Sequence, residues 1–304
     1  MANNALNTTT NSVWVPQIIA NESLGLLASY LNLGKTVSRD SDLSPVSYGK
    51  VIQIPRRGTI TASQKTEGTN NAIQQPTADD VLVTIDQHWY VKLAEEDFTA
   101  AFQQFGSVLP GYLEDAVIVL AEKIETKLAQ LSSNFDNIDF TSGGSDTAVQ
   151  ALGRVRTRMV RNKVPQLATL YGYCAPEFVQ LLGESTAFLD PKLIPNNHAL
   201  VEGAVGRAKG FDIFEGQLVQ TAGSPAWQQN MFYTRNAMVL ASRPLLSPDS
   251  SLGVEATTVQ SDAGLALRLV RYYDPNIMGV VVQLDTLFGA AVNDVRQGFV
   301  LESK

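Results

Sequence analysis

The strongest hydrophobic pattern in the chain lies near its middle. From Leu109 to Leu131 apolar residues recur at three- and four-residue spacing, and most charged side chains fall between them. This periodicity predicts a single amphipathic helix of about 25 residues, in which Pro110 is tolerated only within the first turn. The apolar stripe consists of Leu109, Leu113, Val117, Leu120, Ile124, Leu128 and Leu131.

The first 34 residues comprise a polar segment and a segment with periodic apolar residues. Residues 1–13 are polar and rich in Asn and Thr, which predicts a mobile arm. From Val13 to Leu33 the spacing of apolar residues predicts a short helix, and we expect Gly34 to be its C-cap.

Two β-rich runs flank an almost wholly polar stretch. Lys50–Arg56 and Val81–Leu93 have the composition of strands, whereas residues 57–80 contain few apolar side chains. A structureless loop of this length is uncommon inside a compact domain, so the pattern predicts a long projecting hairpin. Because a two-stranded hairpin is marginal alone, we expect it to rest on another surface, such as a neighbouring subunit. A disordered surface insertion is the alternative interpretation.

The rest of the chain alternates between helical and strand patterns. After a Gly/Ser break at Ser142–Asp146, residues 147–247 are predicted to form a compact α/β unit, and the remainder is β-rich. The predicted helices are Ala148–Val164 and Pro176–Leu182. The predicted strands are Leu167–Cys174, Phe211–Phe214, Met231–Tyr233, Ala237–Ala241, Leu265–Tyr273, Val280–Leu284 and Phe299–Leu301.

Composition narrows the class of function. The chain has 23 Lys and Arg against 30 Asp and Glu, a formal net charge of −7, which argues against a general nucleic-acid binder because such proteins rely on clustered positive charge. The single cysteine, Cys174, excludes an intrachain disulfide. No secretory signal is visible, and the most apolar run, Ala116–Ala121, is too short to span a bilayer. We therefore expect a soluble protein made in the cytoplasm.

Two short motifs resemble catalytic or nucleotide-binding signatures but are incomplete. Gly34-Lys35-Thr36 matches the end of a phosphate-binding loop, yet Ser29 stands where that motif needs a glycine. Ser185 lies in a partial nucleophile motif that lacks its last glycine and follows a helix instead of a strand. We interpret the first motif as a helix cap and predict no catalytic role for Ser185.

The remaining chemically reactive residues are scattered. His88 and His198 are far apart and have no ligands at metal-binding spacing, and Cys174 ends an apolar strand, as a buried thiol does. The adjacent acids Glu95–Asp97 suit a solvated helix start, where they complement the helix dipole. We therefore predict no catalytic residue, no cofactor and no metal site.

One predicted helix carries a cluster of positive charge that could bind a partner. Arg154, Arg158 and Arg161 share one face of the predicted helix Ala148–Val164. In an otherwise acidic protein, this face suits an acidic surface of a neighbouring subunit or the phosphates of DNA. A solvated helix face without a partner is the alternative.

The order of these elements resembles the major capsid proteins of tailed bacteriophages with the Hong Kong 97 fold. The run VWVPQIIANESLGLLASYLNLGKTVSRD, followed by GKVIQIPRRGTITA, looks like the lead into that family's extended loop, and Ile54-Pro55 is typical of it. Gly203–Phe214 is similar to the family's apical domain. The closing segment of the family resembles Tyr273-Asp274-Pro275, Val280–Leu284 and Leu287-Phe288-Gly289.

The resemblance implies an α+β fold with five parts. These are an N-terminal arm (1–47), an extended β-hairpin loop (48–95), a peripheral domain with a spine helix (96–146), an axial domain (147–247) and a closing β segment of both domains (248–304). The loop would lie over an adjacent subunit, and axial domains would gather at the centres of hexamers and pentamers. The implied function is structural, not enzymatic: an icosahedral phage head that encloses double-stranded DNA, with the protein located in the virion.

The resemblance also implies partners. They are other copies of the chain, a portal and, since residues 1–47 leave no room for a fused scaffolding domain, a separate scaffolding protein or none. Weak contact with packaged DNA is expected, and contact with a membrane is not. An encapsulin-like compartment shell is the alternative with the same fold. Because the tip 57–80 lacks its own core, we expect it to matter for assembly and little for subunit folding.

Some relatives of that family join a Lys of the extended loop to an Asn of a neighbour. Lys65 is the only Lys in the polar tip, and Asn276 and Asn293 lie in the closing segment. The reaction needs a desolvated, neutral Lys beside a carboxylate. The tip is too polar to supply that environment, so the sequence predicts no covalent crosslink.

Overall fold

The computed structural model describes residues 16–39, 51–57, 78–97, 109–140, 147–165, 168–184, 206–223, 226–248, 254–261 and 265–303, together with positions 60, 62–68, 70 and 73. The predicted arm at residues 1–13, His198 and Ser185 lie outside these ranges. The described helices are α1 (Pro16–Tyr30), α2 (Leu33–Thr36), α3 (Leu109–Gln130), α4 (Ala148–Arg161) and α5 (Pro176–Gly183). Short 3-10 turns occur at Leu131–Asn134 and Val295–Gln297.

The strands are numbered in chain order. They are β1 (Ser38–Arg39), β2 (Val51–Arg57), β3 (Ala78–Thr84), β4 (Gln87–Glu96), β5 (Asp136–Phe140), β6 (Leu170–Cys174), β7 (Arg207–Ala208), β8 (Phe211–Glu215), β9 (Thr221–Ala222), β10 (Trp227–Thr234), β11 (Met238–Arg243), β12 (Glu255–Ser261), β13 (Leu265–Asp274), β14 (Gly279–Val292) and β15 (Gly298–Ser303).

The long predicted helix is confirmed as α3. Its apolar stripe, from Leu113 to Leu128, is buried in one core with residues of α1 and of the six-stranded sheet. The predicted C-cap at Gly34 is wrong, because α1 ends at Tyr30 and Gly34 lies inside the separate turn α2. The reason is a distant side chain: the backbone N–H of Gly34 donates to the carboxylate of Glu125, which no local pattern reveals.

A six-stranded sheet is organised by the unusually long strand β14. Gly279–Asp285 pairs with β13, and Leu287–Val292 pairs with β11, one after the other along the same edge. The other edge of β14 pairs with β4. Strand β12 continues the sheet beyond β13, and the short β1 lies parallel to β11. Helices α1 and α3 cover one face of this sheet.

A seven-stranded sheet forms the second layer, in the order β5-β15-β10-β6-β8-β7, with β9 beside β10. Side chains along β10 alternate between its two faces. Met231 and Tyr233 enter the core that contains α3, whereas Phe232 enters a second core with residues of α4 and α5. This sheet is therefore buried on both faces.

The two sheets are joined by two short connections that lie side by side. The turn Arg235–Ala237 leads from β10 in one sheet to β11 in the other. A second crossing leads from β14 to β15, and there the N–H groups of Asn293 and Asp294 donate to the carbonyl oxygen of Ala237 at 2.8 and 3.2 Å. β11 thus pairs in the six-stranded sheet although it falls within residues 147–247. The five-part division of the chain stays a prediction.

Candidate assembly surfaces

The predicted hairpin is formed by β2 and β3, which pair antiparallel from Val51 opposite Thr84 to Arg57 opposite Ala78. The prediction of one continuous second strand, Val81–Leu93, is wrong. The run divides at Ile85-Asp86: β3 belongs to the hairpin, whereas β4 is a strand of the six-stranded sheet. The side chain of Ile85 is buried at this point, so the chain turns into the core between the two strands.

One face of the hairpin packs on the same chain. Ile52, Ile54 and Val83 form a small apolar cluster with residues of β11 and β14, namely Val239, Ala241 and Ala291. Arg56 adds a hydrogen bond from Nη1 to the carbonyl oxygen of Asn293 at 3.1 Å. For this face, the expectation that the hairpin rests on a neighbouring subunit is therefore wrong, because its base has a core within its own chain.

The opposite face of the hairpin is exposed and partly apolar. Val51 retains 48% of its accessible surface and Leu82 retains 55%, although both belong to well-paired strands. Towards the tip, Ile60 is 74% and Ile73 is 94% exposed. Val51 and Leu82 share one face of the hairpin, and neighbouring exposed apolar side chains are typical of a surface that another protein covers.

A glycine allows the base of the hairpin to approach the sheet closely. A Cβ atom on Gly289 of β14 would lie 2.1 Å from the carbonyl oxygen of Thr84, the last residue of β3. Any larger residue at this position would have to push the backbone of the hairpin away. Gly289 therefore fixes how closely the ribbon lies against its own subunit.

The predicted basic face is present on α4. The helix begins with a capping box between Thr147 and Gln150, and its buried residues share a core with the seven-stranded sheet. Arg158 and Arg161 are exposed and Arg154 is half-buried, all on the side away from the buried stripe. The three arginines are thus brought together, while their partner stays a prediction.

The acidic run Glu95–Asp97 agrees with the predicted helix start only at Asp97, which is helical. Glu95 and Glu96 are the last residues of β4 and not a helix start, because they pair with Val280 and Gly279 of β14. Asp97 follows the strand and accepts a hydrogen bond from the Tyr273 hydroxyl at 2.7 Å. The Asp97 side chain therefore joins the end of β4 to β13.

The other candidate residues occupy structural positions. The N–H of Gly34 in the sequence Gly34-Lys35-Thr36 is occupied by the Glu125 carboxylate, at 3.2 Å. Burial raises the pKa of the Cys174 thiol far above its usual range, which keeps it protonated. His88 Nε2 lies 3.6 Å from Asp285 Oδ2. In the described ranges, no group of three or more His, Cys, Asp or Glu is placed to hold a metal ion.

The buried carboxylates that sequence reasoning missed include Glu125 in the middle of α3 and Asp285 in β14. Each is surrounded by residues that are distant in the chain: the N–H groups of Asn32 and Gly34 for the first, and Arg268 for the second. The only local signal was an acid at a buried position of its element. Among the described helices, none has the length and apolar character needed to cross a membrane.

No protein-family model and no curated protein sequence matches this chain. Solved structures do match its fold. A structure from Mycobacterium phage Che8 has a TM-score of 0.65 at 15% sequence identity and covers 90% of each chain. The mature capsid of bacteriophage PhiM1 has a TM-score of 0.63 at 15% identity, covering 88% of this chain and 86% of that one. The SrpI encapsulin complex of Synechococcus elongatus PCC 7942 has a TM-score of 0.52 at 10% identity, covering 89% and 86%.

These likenesses extend over nearly the whole chain. The fold is therefore the α+β Hong Kong 97-type capsid fold, as the order of elements in the sequence predicts. The phage structures match it with higher TM-scores than the encapsulin does.

Proposed function

We propose that this chain is the major capsid protein of a tailed bacteriophage, which assembles into the hexamers and pentamers of an icosahedral head around double-stranded DNA. The main observation in support of this proposal is that the two faces of the hairpin β2–β3 differ. Its inner face packs on its own subunit, while Val51 and Leu82 leave apolar surface exposed on the outer face. In a closed shell of identical subunits, the same outer face meets the same neighbouring surface at every position. The shared fold with phage capsid structures supports this reading.

With this function, each part of the chain has a proposed role in the capsid subunit. Residues 1–47 are the arm, 48–95 the extended loop, 96–146 the peripheral domain with its spine helix, 147–247 the axial domain and 248–304 the closing segment of both domains. The protein has no catalytic role and requires no cofactor. It is made in the host cytoplasm and resides in the virion, with a portal as a partner and either a separate scaffolding protein or none.

An encapsulin-like compartment shell is the second candidate, because the SrpI encapsulin shares the fold. Its lower TM-score makes it the weaker one. The two candidates differ in cargo. Electron microscopy of native particles distinguishes them, since a DNA-filled head with a tail supports the first and a protein-filled cage supports the second.

The test of the proposed interface compares single substitutions on the outer face with one elsewhere. Val51→Asp and Leu82→Asp each place a charge on the hairpin, and Val160→Asp alters an equally exposed valine, at 48%, on α4. We expect all three subunits to melt like the parent protein, and only the two hairpin variants to stop forming shells in sedimentation and microscopy. Hairpin variants that assemble normally would refute the interface. A parent protein that stays monomeric at every concentration and salt would refute the function itself.

The basic face of α4 has two proposed partners, an acidic neighbouring surface or packaged DNA. The double substitution Arg158→Glu/Arg161→Glu separates them, because both residues are exposed and neither is needed for the core. Loss of shell formation supports the neighbour. Intact shells with reduced DNA content support the DNA contact, and particles unchanged in both respects would show that the face is only solvated.

A further inference from the structure

The exposed side of α3 carries a row of negative charge. Asp115 and Glu122 lie seven residues apart on this helix, and the exposed Val119 lies between them. Positions with this spacing follow one another along one side of a helix, and at 1.5 Å per residue they are roughly 10 Å apart along its axis. In the described part of the chain, neither carboxylate forms an ion pair. We call Asp115 and Glu122 the acidic row.

The lysines of α3 do not neutralise this row, because other residues engage them. Nζ of Lys123 lies 5.0 Å from the centroid of the Trp89 ring on β4. Nζ of Lys127 lies 3.4 Å from Oδ2 of Asp86, in the turn that precedes β4. Both ammonium groups are therefore held on the flank of α3 that faces β4, and the exposed side of the helix retains an excess of carboxylates.

A second helix carries a matching row of positive charge. Arg154 and Arg161 of α4 also lie seven residues apart, with Arg158 between them. The sequence of α4 contains no Asp or Glu. Arg158 and Arg161 are exposed, and neither forms an ion pair with a described residue. We call these three arginines the basic row; its two ends have the same spacing as the acidic row.

The seven-stranded sheet separates the two rows. Met231 and Tyr233 leave one face of β10 and enter the core that contains α3, whereas Phe232 leaves the other face and enters the core that contains α4. Each row lies on the side of its helix that faces away from its core. The two rows therefore point in different directions and cannot meet within one chain, so they can meet only between two copies.

We propose that the basic row of one subunit docks against the acidic row of the next, as a head-to-tail contact within each hexamer or pentamer. This inference rests on the proposed capsid function and names the acidic surface that the basic face of α4 meets. A contact between two different surfaces leaves one row free at each end, and its repetition closes a ring when the rotation between copies allows it. The contact therefore has the symmetry that a capsomer requires.

Charge complementarity favours a second copy over DNA as the partner of α4. Phosphates complement the basic row alone, whereas a second copy complements both rows at the same spacing. Exposed ion pairs each contribute little affinity, so this contact selects the orientation of neighbouring subunits and speeds their encounter. The apolar area comes from the proposed contact of the outer face of the hairpin, where Val51 and Leu82 are exposed.

Charge reversal of each row tests the contact in the full-length chain. Arg158→Glu/Arg161→Glu makes both rows acidic, and Asp115→Lys/Glu122→Lys makes both rows basic. We expect each double variant to melt like the parent but to form capsomers and shells at least about tenfold more slowly, because like charges now meet. The fourfold variant exchanges the signs of the two rows and should recover assembly.

The matched controls reverse two exposed charges that lie on neither row. They are Lys209→Glu/Arg271→Glu and Glu177→Lys/Glu255→Lys, and both should assemble like the parent.

A one-to-one mixture of the two double variants gives a sharper result. The variant with two acidic rows meets only the variant with two basic rows, so the two alternate around a ring. Alternation closes a ring with an even number of subunits but not one with an odd number. We therefore expect electron microscopy of the mixture to show hexamers without pentamers, and hence no closed shell.

Salt provides a readout that needs no charge reversal. Raising the ionic strength from about 0.01 M to about 1 M shortens the screening length from about 30 Å to about 3 Å. The initial rate of assembly of the parent should fall over this range, and Arg158→Gln/Arg161→Gln should show a weaker dependence. An equal salt dependence of the two proteins would contradict the contact.

The outcomes separate this inference from the proposed function. If the parent forms shells and both double variants assemble at its rate, the contact is refuted. Loss of assembly that neither the fourfold variant nor the mixture restores also refutes it. Intact shells with reduced DNA content in Arg158→Glu/Arg161→Glu would assign the basic row to DNA instead. A parent protein that forms no shell under any condition would refute the capsid function itself.

Discussion

Arg268 on β13 and Asp285 on β14 lie directly opposite each other and form a two-pronged ion pair within the six-stranded sheet. Nε of the guanidinium donates to Oδ1 at 3.0 Å, and the carboxylate is fully buried. Gln283 on the same strand adds a third donor, from Nε2 to Oδ2 at 3.1 Å. Removal of one partner of a buried ion pair leaves the other charge uncompensated, which is costly whatever the net contribution of the pair.

Removing the arginine should therefore destabilise the subunit strongly. Arg268→Met leaves the carboxylate of Asp285 buried without its cation, and we expect the free energy of unfolding to fall by about 3–5 kcal/mol. Arg271→Met, on the exposed part of the same strand, should change it by no more than about 0.5 kcal/mol. Urea unfolding measures both. The double variant Arg268→Met/Asp285→Leu should recover part of the loss, and an equal or larger loss would contradict this account.

Two glycines should respond oppositely to the same substitution. Gly289→Ala puts a Cβ where the carbonyl oxygen of Thr84 lies, at 2.1 Å, so the hairpin base must shift. We expect a loss of about 1–3 kcal/mol, as for other overpacked sites. Gly153→Ala in α4 meets nothing within 4 Å and should gain roughly 0.5–1 kcal/mol from helix propensity. Thermal melting compares them, and a neutral Gly289→Ala would show that the approach is not tight.

The tip of the hairpin should be dispensable for folding. Replacing residues 58–77 by a short Gly-Ser turn keeps both strands, and the described tip side chains from Ala62 to Gly68 are exposed, so little buried area is lost. We expect cooperative melting near that of the parent, but fragile shells or none. Replacing the whole of 51–84 instead should destabilise the monomer, because it removes the cluster around Val83. Normal shells from the first variant would show that the tip is only an insertion.

Mature particles should contain no covalent links between subunits. Lys65 is exposed, so its amine is hydrated and lacks the desolvated environment that the reaction needs. Asn276 is engaged by Asp274, and Asn293 donates from Nδ2 to the carbonyl oxygen of Asn236 at 2.9 Å. We expect a single monomer band on a reducing, denaturing gel. A ladder of multimers would contradict this, and Lys65→Arg would then show whether Lys65 is the source.

Local periodicity was enough to predict the long helix α3, the helices α4 and α5 and most of the strands. Each of these has an apolar pattern that repeats within the element itself, as from Leu113 to Leu128. The hairpin was recognised because the polar tip between its strands is too long for an ordinary loop. The order of these elements was sufficient to predict the fold.

The errors occurred where a distant partner decides the local structure. Val81–Leu93 reads as one strand, but its second half pairs with β14, almost at the other end of the chain. Gly34 reads as a helix cap, but its N–H is bound by Glu125, 91 residues away. No spacing of nearby residues encodes such pairings. The same limit hid Glu125 and Asp285, whose roles depend on residues that only the folded chain brings close.

The side-by-side crossings between the two sheets have a mechanical consequence. Ala237 belongs to one crossing and accepts hydrogen bonds from Asn293 and Asp294 of the other. Because both sheets also contribute side chains to one core, the two layers separate only if these hydrogen bonds and that shared apolar contact are broken together.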